Sequence, residues 1–255
     1  MEKLEKNEDS FISMGITQNS DNTLNCIDQY IEFAEAVSRT TYKSIFIVDL
    51  IKRNFLYVSS NPLFLCGLPA SEVLKKGYRH FFDQVDRKEV QMIRRATKTS
   101  LKFIQEMDIS NRMKYKVSYD YKLRHIISQE DVLVNQQVTP LKLTDDGDVW
   151  LALCSVALSP QQEVGNITIT CQDSPTKWVL ESGRNRGSEI HIAHLSQLEK
   201  QVVILANQGY STKDIATKMC KSVDSIKWYR KTLFAKIGVE TITEAIAYST
   251  LHKLI

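Results

Sequence analysis

The run Ser211-Thr212-Lys213-Asp214-Ile215-Ala216-Thr217-Lys218-Met219-Cys220-Lys221-Ser222-Val223-Asp224-Ser225-Ile226-Lys227-Trp228-Tyr229 contains two helix starts in quick succession. Ser211-x-x-Asp214 is a capping pattern, in which the hydroxyl accepts from the amide three residues on and the carboxylate reaches back. Behind it Ile215, Ala216 and Met219 fall on one helical face. Ser222 caps the next helix, whose apolar stripe is Ile226, Leu233 and Ile237. The turn between the two is about three residues, as short as a helix-turn-helix needs.

Working outward, Ser196-x-x-Glu199 is another capping box, placed before Leu198, Val202, Val203, Leu205 and Ala206. That helix is predicted to stop before Gly209, a residue suited to a left-handed cap. A fourth helix is predicted from Thr243 towards His252. The helix from Ser222 presents Asp224, Ser225, Lys227, Trp228 and Lys231 to solvent, with Arg230 nearby. Lys227 and Lys231 are four residues apart and share a face. A short basic helix edged with hydrogen-bonding groups fits the major groove with phosphates on either side. Charge supports this: from Ile190 to the end there are nine Lys/Arg against five Asp/Glu, in a chain of formal net charge +3. From charge alone, the competing reading is a solvated helix in a small bundle.

The order of residues discriminates between the two. His194-Leu195-Ser196-Gln197-Leu198-Glu199-Lys200-Gln201-Val202-Val203, Gly209 to Ala216, Ser222 to Tyr229 and Lys236-Ile237-Gly238-Val239 together resemble the LuxR-type helix-turn-helix family over about sixty residues. The resemblance implies a sequence-specific transcription regulator that binds double-stranded DNA, with the helix from Ser222 in the major groove. It places Lys227, Trp228 and Lys231 at contact positions and Lys213 near the backbone; Ser222, Asp224, Ser225 and Arg230 complete the expected DNA-binding set. It also implies a homodimer on a roughly palindromic site, paired through the last helix around Ala245, Tyr248 and Leu251. Two residues depart from the family pattern: Tyr229 stands where His is frequent, and Ile242 where Arg is usual. Trp228 is unusual on such a helix; it can stack, touch thymine methyls, or pack against the protein.

The rest of the chain is of a different kind. Leu24, Ile27, Ile31, Ala34 and Val37 make one helical stripe, after a polar segment, 1–22, predicted to be a loose terminus. Ser44 to Asp49 and Phe55 to Ser59 read as a hairpin, followed by short helices broken by Pro62, Gly67, Pro69 and Gly77. Asp86 to Met107 is predicted to be a long amphipathic helix, with Ile93, Ala96, Ser100, Phe103 and Met107 on its apolar face. From Tyr115 to Arg124 apolar and polar residues alternate, which predicts a strand with one wet face. Val132 to Leu143 is a second strand, interrupted by Pro140, and the apolar run Val149 to Leu158 a central one buried on both faces. Weaker strands are predicted at Ile167 to Cys171 and Trp178 to Glu181.

This succession, with Ser44 to Asp49, Phe55 to Asn61, Cys66 to Val73 and Phe81 to Arg87, resembles a PAS sensor domain over roughly residues 30–160. The fold class expected is therefore α+β, with a PAS-like antiparallel sheet and flanking helices at 24–181, a linker at 182–190, and an all-α four-helix domain at 191–255. A PAS-like fold implies a pocket between sheet and helices, for which Phe46, Tyr57, Phe64, Phe82, Ile93, Phe103, Tyr119 and Tyr121 are candidates, most of them as core. The signal is unknown: a small molecule or a protein partner. No cofactor is predicted, since the long helix has no histidine for a haem and no cysteine has the surroundings of a flavin photosensor. His80 and Cys66 read as structural.

Five scattered cysteines without a C-x-x-C pair argue against a disulfide framework and a zinc site, and no metal is predicted. The polar opening residues do not resemble a secretory signal, and the longest apolar run falls well short of a membrane span, so no membrane association and a cytoplasmic location are expected. No phosphate loop, nucleophile elbow or H-E-x-x-H motif suggests an enzyme. The main rival is a response regulator phosphorylated on Asp49, which ends an apolar strand. The region beyond Tyr115 lacks the strand-helix alternation of a doubly wound sheet, so Asp49 reads better as a turn residue.

Overall fold

In the computed structural model the described residues are 21–172, 174–180, 187–191 and 194–255. The predicted loose terminus thus falls almost wholly outside them, as does 182–186 of the predicted linker. The chain divides into two compact units, the first containing residues up to 158 and 163–190, the second 159–162 and 191–255.

The first unit opens with α1 (Asp21–Ser38), then β1 (Ser44–Asp49), β2 (Asn54–Val58), three short helices α2 (Pro62–Leu65), α3 (Ala70–Lys76) and α4 (Arg79–Gln84), and the long α5 (Arg87–Gln105). A single turn, α6 (Ile109–Arg112), leads to β3 (Tyr115–Arg124), β4 (Asp131–Leu143), β5 (Val149–Leu158), β6 (Gly165–Cys171), β7 (Thr176–Leu180) and β8 (Gly187–His191). All eight strands form one sheet in the order β2-β1-β5-β4-β3-β6-β7-β8. The paired strands whose register is defined, β1 through β7, are antiparallel. The PAS-like succession expected from the sequence is present, and its five strands occupy the spatial order 2-1-5-4-3. The additional strands lengthen the sheet beyond β3.

Periodicity explains the helices. Asp86 caps α5 by accepting from the Lys88 amide, and Val90, Ile93, Ala96, Ser100 and Ile104 turn inward onto the sheet. The buried face drifts relative to the predicted one: Ile104 is buried where Phe103 is only partly so. The main core lies between α2–α5 and one face of the sheet, with Phe46 and Phe64 stacked at 4.2 Å at its centre. On the opposite face Ala34 of α1 packs with Ile45, Ile47, Tyr57 and Leu153.

Three sequence readings of this unit need correction. β4 is not interrupted at Pro140. It runs on because a bulge follows Pro140 opposite β5, while pairing with β3 ends at Val138, so the missing N–H leaves no β3 partner unmet. β3 does not have a simple wet face: Ser118 and Asp120 are as buried as Tyr119 and Tyr121. Their polarity is met within the sheet, where the Asn135 amide nitrogen donates to Ser118 Oγ at 3.0 Å and to Asp120 Oδ1 at 2.8 Å. Finally, 187–190, predicted to be linker, together with His191, predicted to open the helical domain, form β8 at the edge of the sheet.

The second unit is α7 (Gln197–Asn207), α8 (Thr212–Lys218), α9 (Val223–Ile237) and α10 (Ile242–Leu251) around Val202, Val203, Ile215, Ile226, Leu233 and Ala245. Both predicted capping boxes, Ser196/Glu199 and Ser211/Asp214, are formed, and Thr241/Glu244 makes a third. Gly209, at φ +87°, ends the first helix, its amide bonded to the Ala206 carbonyl.

Candidate nucleic-acid interface and sensory cavity

The helix α9 is set by its two ends. Ser222 accepts from the Ser225 amide at 3.1 Å, and Gly238 closes the helix in a left-handed conformation. Ile226, Leu233 and Ile237 anchor one face in the core. That leaves Asp224, Lys227, Trp228, Lys231 and Ala235 exposed along the other. Asp224 and Lys227 pair at 3.2 Å on the surface, a weak contact that leaves the ammonium accessible. Trp228 is 60% exposed, its ring meeting the edge of Tyr229 at 5.3 Å.

Not every predicted contact residue is free to reach out. Arg230 donates to Thr212 Oγ1 at 2.9 Å and lies over the Phe234 ring, tying α9 to the start of α8. Ser222 and Ser225 hydrogen-bond each other at 2.8 Å, so their first task is to begin the helix. Lys213 is exposed in the first turn of α8. In α10, Ala245 and Leu251 do not form an outward pairing face: both are buried, and Ala245 belongs to the unit's own core. Tyr248 lies at its margin, while Thr243, Ala247 and Thr250 are exposed. The family resemblance named these positions by their place in the motif, and motif position does not say which side of α10 the bundle covers.

Glu199 was not singled out beyond its cap, yet it couples two helices. Only 2% of its side chain is exposed; it accepts from the Ser196 amide at 2.7 Å and pairs with Lys236 of α9 at 2.7 Å. Burial pushes this carboxyl up, but the hydrogen bonds from Lys236 and Ser196 outweigh it and hold it below the usual carboxylate range. The orientation of the α9 face is thus tied to the cap of α7.

Residues 193–249 match the model for the luxR family of bacterial regulatory proteins. This segment is a luxR-family DNA-binding domain. No curated protein is similar enough to the whole chain to count as a relative. Among solved structures, the chain aligns with the phage VqmA–DPO complex at 12% identity, covering 92% of each chain, with a TM-score of 0.30. The Vibrio cholerae VqmA dimer in the absence of target DNA aligns at 13% identity over 83% of each chain, with a TM-score of 0.26. A sensory box histidine kinase/response regulator from Burkholderia thailandensis E264 aligns at 9% identity, 51% of this chain and 82% of that one, with a TM-score of 0.32.

The first unit contains two adjoining cavities between α5 and the sheet, of about 50 and 40 Å³. They share Leu50, Thr97, Tyr119, Val138 and Ala152 in their walls. The larger is completed by Phe46, Tyr78, Phe81, Ile93, Gln136 and Cys154, among others, with no charged side chain in either lining. Of the predicted pocket residues, Phe46, Ile93 and Tyr119 are present. Tyr57 lies on the opposite face of the sheet, Phe82 under Arg94, and Phe103 against Tyr115 and Trp178; Phe64 and Tyr121 are core. Gln136, held by the Tyr121 hydroxyl at 2.7 Å, and Ser100 were missed. Ser100 Oγ, buried in the wall of the smaller cavity, has no hydrogen-bond partner. Cys154 is buried in the larger wall and desolvation pushes its thiol up; burial likewise pushes the Cys66 thiol up to about 12, so neither is a poised nucleophile.

His80 is wholly buried; its Nε2 donates to the Phe64 carbonyl at 2.7 Å, and burial holds the ring neutral. Asp49 is buried as well, its carboxylate accepting from the Ile51 and Lys52 amides and the Trp150 indole. A phosphoacceptor must meet its donor in solvent, so this geometry makes Asp49 the turn residue the sequence reading preferred.

Proposed function

We propose that the chain is a sequence-specific transcription regulator whose DNA binding is governed by its PAS-like domain. The observation that carries the reading is the exposed face of α9 within a luxR-family domain: two lysines on either side of a tryptophan, on a helix capped at both ends and anchored by an apolar stripe. Lys227, Trp228 and Lys231 face the major groove, Asp224 and Ser225 tune base preference, Lys213 meets the phosphate backbone, and Ser222 and Arg230 hold the helix in position. The protein acts as a homodimer on a two-fold site, α10 offering Thr243, Ala247 and Thr250 with Tyr248 at their margin. It acts in the cytoplasm and catalyses no reaction.

For the signal, a small uncharged molecule is favoured over a protein partner. Two adjoining apolar cavities, one walled by the unpartnered Ser100 hydroxyl and the other by the Gln136 amide, suit a ligand with one or two hydrogen-bonding groups. Occupancy would shift the balance between arrangements that bind DNA well and poorly. The DNA-binding reading is tested by Lys227→Ala combined with Lys231→Ala: affinity falls for all sequences, and the slope of log K against log salt flattens by about 1.8 for two lost phosphate neutralisations. Unchanged affinity for target and random DNA would show that α9 is not the reading helix.

A further inference from the structure

We infer that Trp228 is a base reader, selecting thymine through its methyl group at one position in each half-site. This rests on the reading of α9 as the helix that enters the groove. The chain's other tryptophans are spent on the fold: Trp150 is buried with its indole N–H on Asp49, and Trp178 packs against Phe103. Trp228 instead stands 60% exposed at the middle of the open face, with Asp224 one turn before it and Lys227 and Lys231 on either side. Its backbone is fixed by the helix, and its one described ring contact is a T-shaped approach to Tyr229 at 5.3 Å. A large apolar surface left in water on a helix anchored from behind is matched by burial on whatever the helix docks against.

The major groove narrows the choice of partner. The thymine C5-methyl is the one apolar group displayed there, and the adjacent O4 accepts a hydrogen bond. Indole offers an apolar face and a single N–H donor, with no acceptor. Thymine therefore satisfies both properties. Cytosine presents an amino donor that indole cannot accept, and adenine and guanine present acceptors without a methyl. Lysines flanking the ring favour guanine O6 and N7 or phosphates next to it. The half-site is thus expected to have a thymine contacted by Trp228 beside positions favouring guanine.

The test uses the full chain to select sites from a random duplex library, then replaces each thymine of the selected site singly by uracil, which removes the methyl and nothing else. In the parent chain one thymine per half-site loses about fourfold in affinity, the worth of one methyl taken out of water. Trp228→Ala binds thymine and uracil forms equally with an unchanged salt slope, and Trp228→Phe retains part of the preference. Circular dichroism checks that both variants stay folded. Selection of a site with no uracil penalty at any thymine, or a penalty that survives in Trp228→Ala, overturns the assignment while leaving α9 as the reading helix. Failure of the parent chain to select any sequence, or Lys227→Ala with Lys231→Ala binding like the parent, overturns the α9 reading and this inference with it.

Discussion

The helices of the two units begin in different ways. In the second unit each of the four starts at a Ser or Thr whose side chain accepts from a backbone amide of the first turn, and three form complete capping boxes. In the first unit α2, α3, α4 and α6 begin without any such side-chain bond, at Asn61, Pro69, Tyr78 and Asp108. Caps stabilise a helix from within its own sequence, whereas an uncapped turn of four to seven residues depends on what packs against it. Phe64, Phe81 and Tyr78, carried by or flanking α2 and α4, pack together around Phe55, and Phe81 and Tyr78 also face the larger cavity. The second unit is therefore built as a set of self-starting helices. The first unit places its least self-sufficient helices beside the larger cavity, which is where local rearrangement costs least.

That contrast can be broken most directly at Phe64, which is fully buried against Phe46, Phe55, Phe81 and His80. Phe64→Ala should cost the first unit about 3–5 kcal/mol, read from its denaturant midpoint, and leave the unfolding of the second unit where it was. A loss shared equally by both units would show that they do not stabilise themselves separately.

Glu199→Ala comes next, expected to cost the second unit about 2–3 kcal/mol, because it leaves the Ser196 amide and Lys236 without their charged partner. The same carboxyl gives the second unit a pH dependence. Its pKa is depressed by folding, so its contribution is present above the unfolded value and is lost as pH falls through the lower folded one. Thermal melts of the parent should therefore fall in an acid window beginning near pH 4 and extending below it, and Glu199→Gln should flatten that part of the curve. An identical acid slope in both proteins would remove Glu199 as its source.

A smaller effect sharpens the point about caps. Ser211→Ala should destabilise the second unit by about 1 kcal/mol, since the hydroxyl accepts from Asp214 and the Asp214 carboxylate answers it. Hydrogen exchange gives the finest ranking: amides of α2–α4 should exchange faster than those of α7 and α9, and a ligand that fills the cavity should slow the former alone. Protection of α2–α4 equal to that of α9 would count against the sensor unit's yielding part lying there.

Much of the second unit was legible because its information is local. Ser196, Ser211 and Ser222 announce their helices within three residues, Gly209 ends one by tolerating a positive φ, and the stripe of Ile226, Leu233 and Ile237 recurs with the helical period. The same period leaves Lys227, Trp228 and Lys231 outside. Locality failed where a residue's role depends on a neighbour from another element. Arg230 looked like a free contact until Thr212 of α8 was found against it, and Ala245 and Leu251 looked like a pairing face until the rest of the bundle covered them.

By itself, then, the sequence determined the capped four-helix domain, the exposed face of its third helix, and the order of strands and helices ahead of it, since caps and periodicities operate over one or two turns or a few strand residues. Only the tertiary structure decided which side chains wall the cavity, that Ser118 and Asp120 are buried with Asn135, and that Asp49 is closed off by Trp150, 101 residues away. Antiparallel pairing brings together residues far apart in the chain, and no local pattern encodes which of them meet.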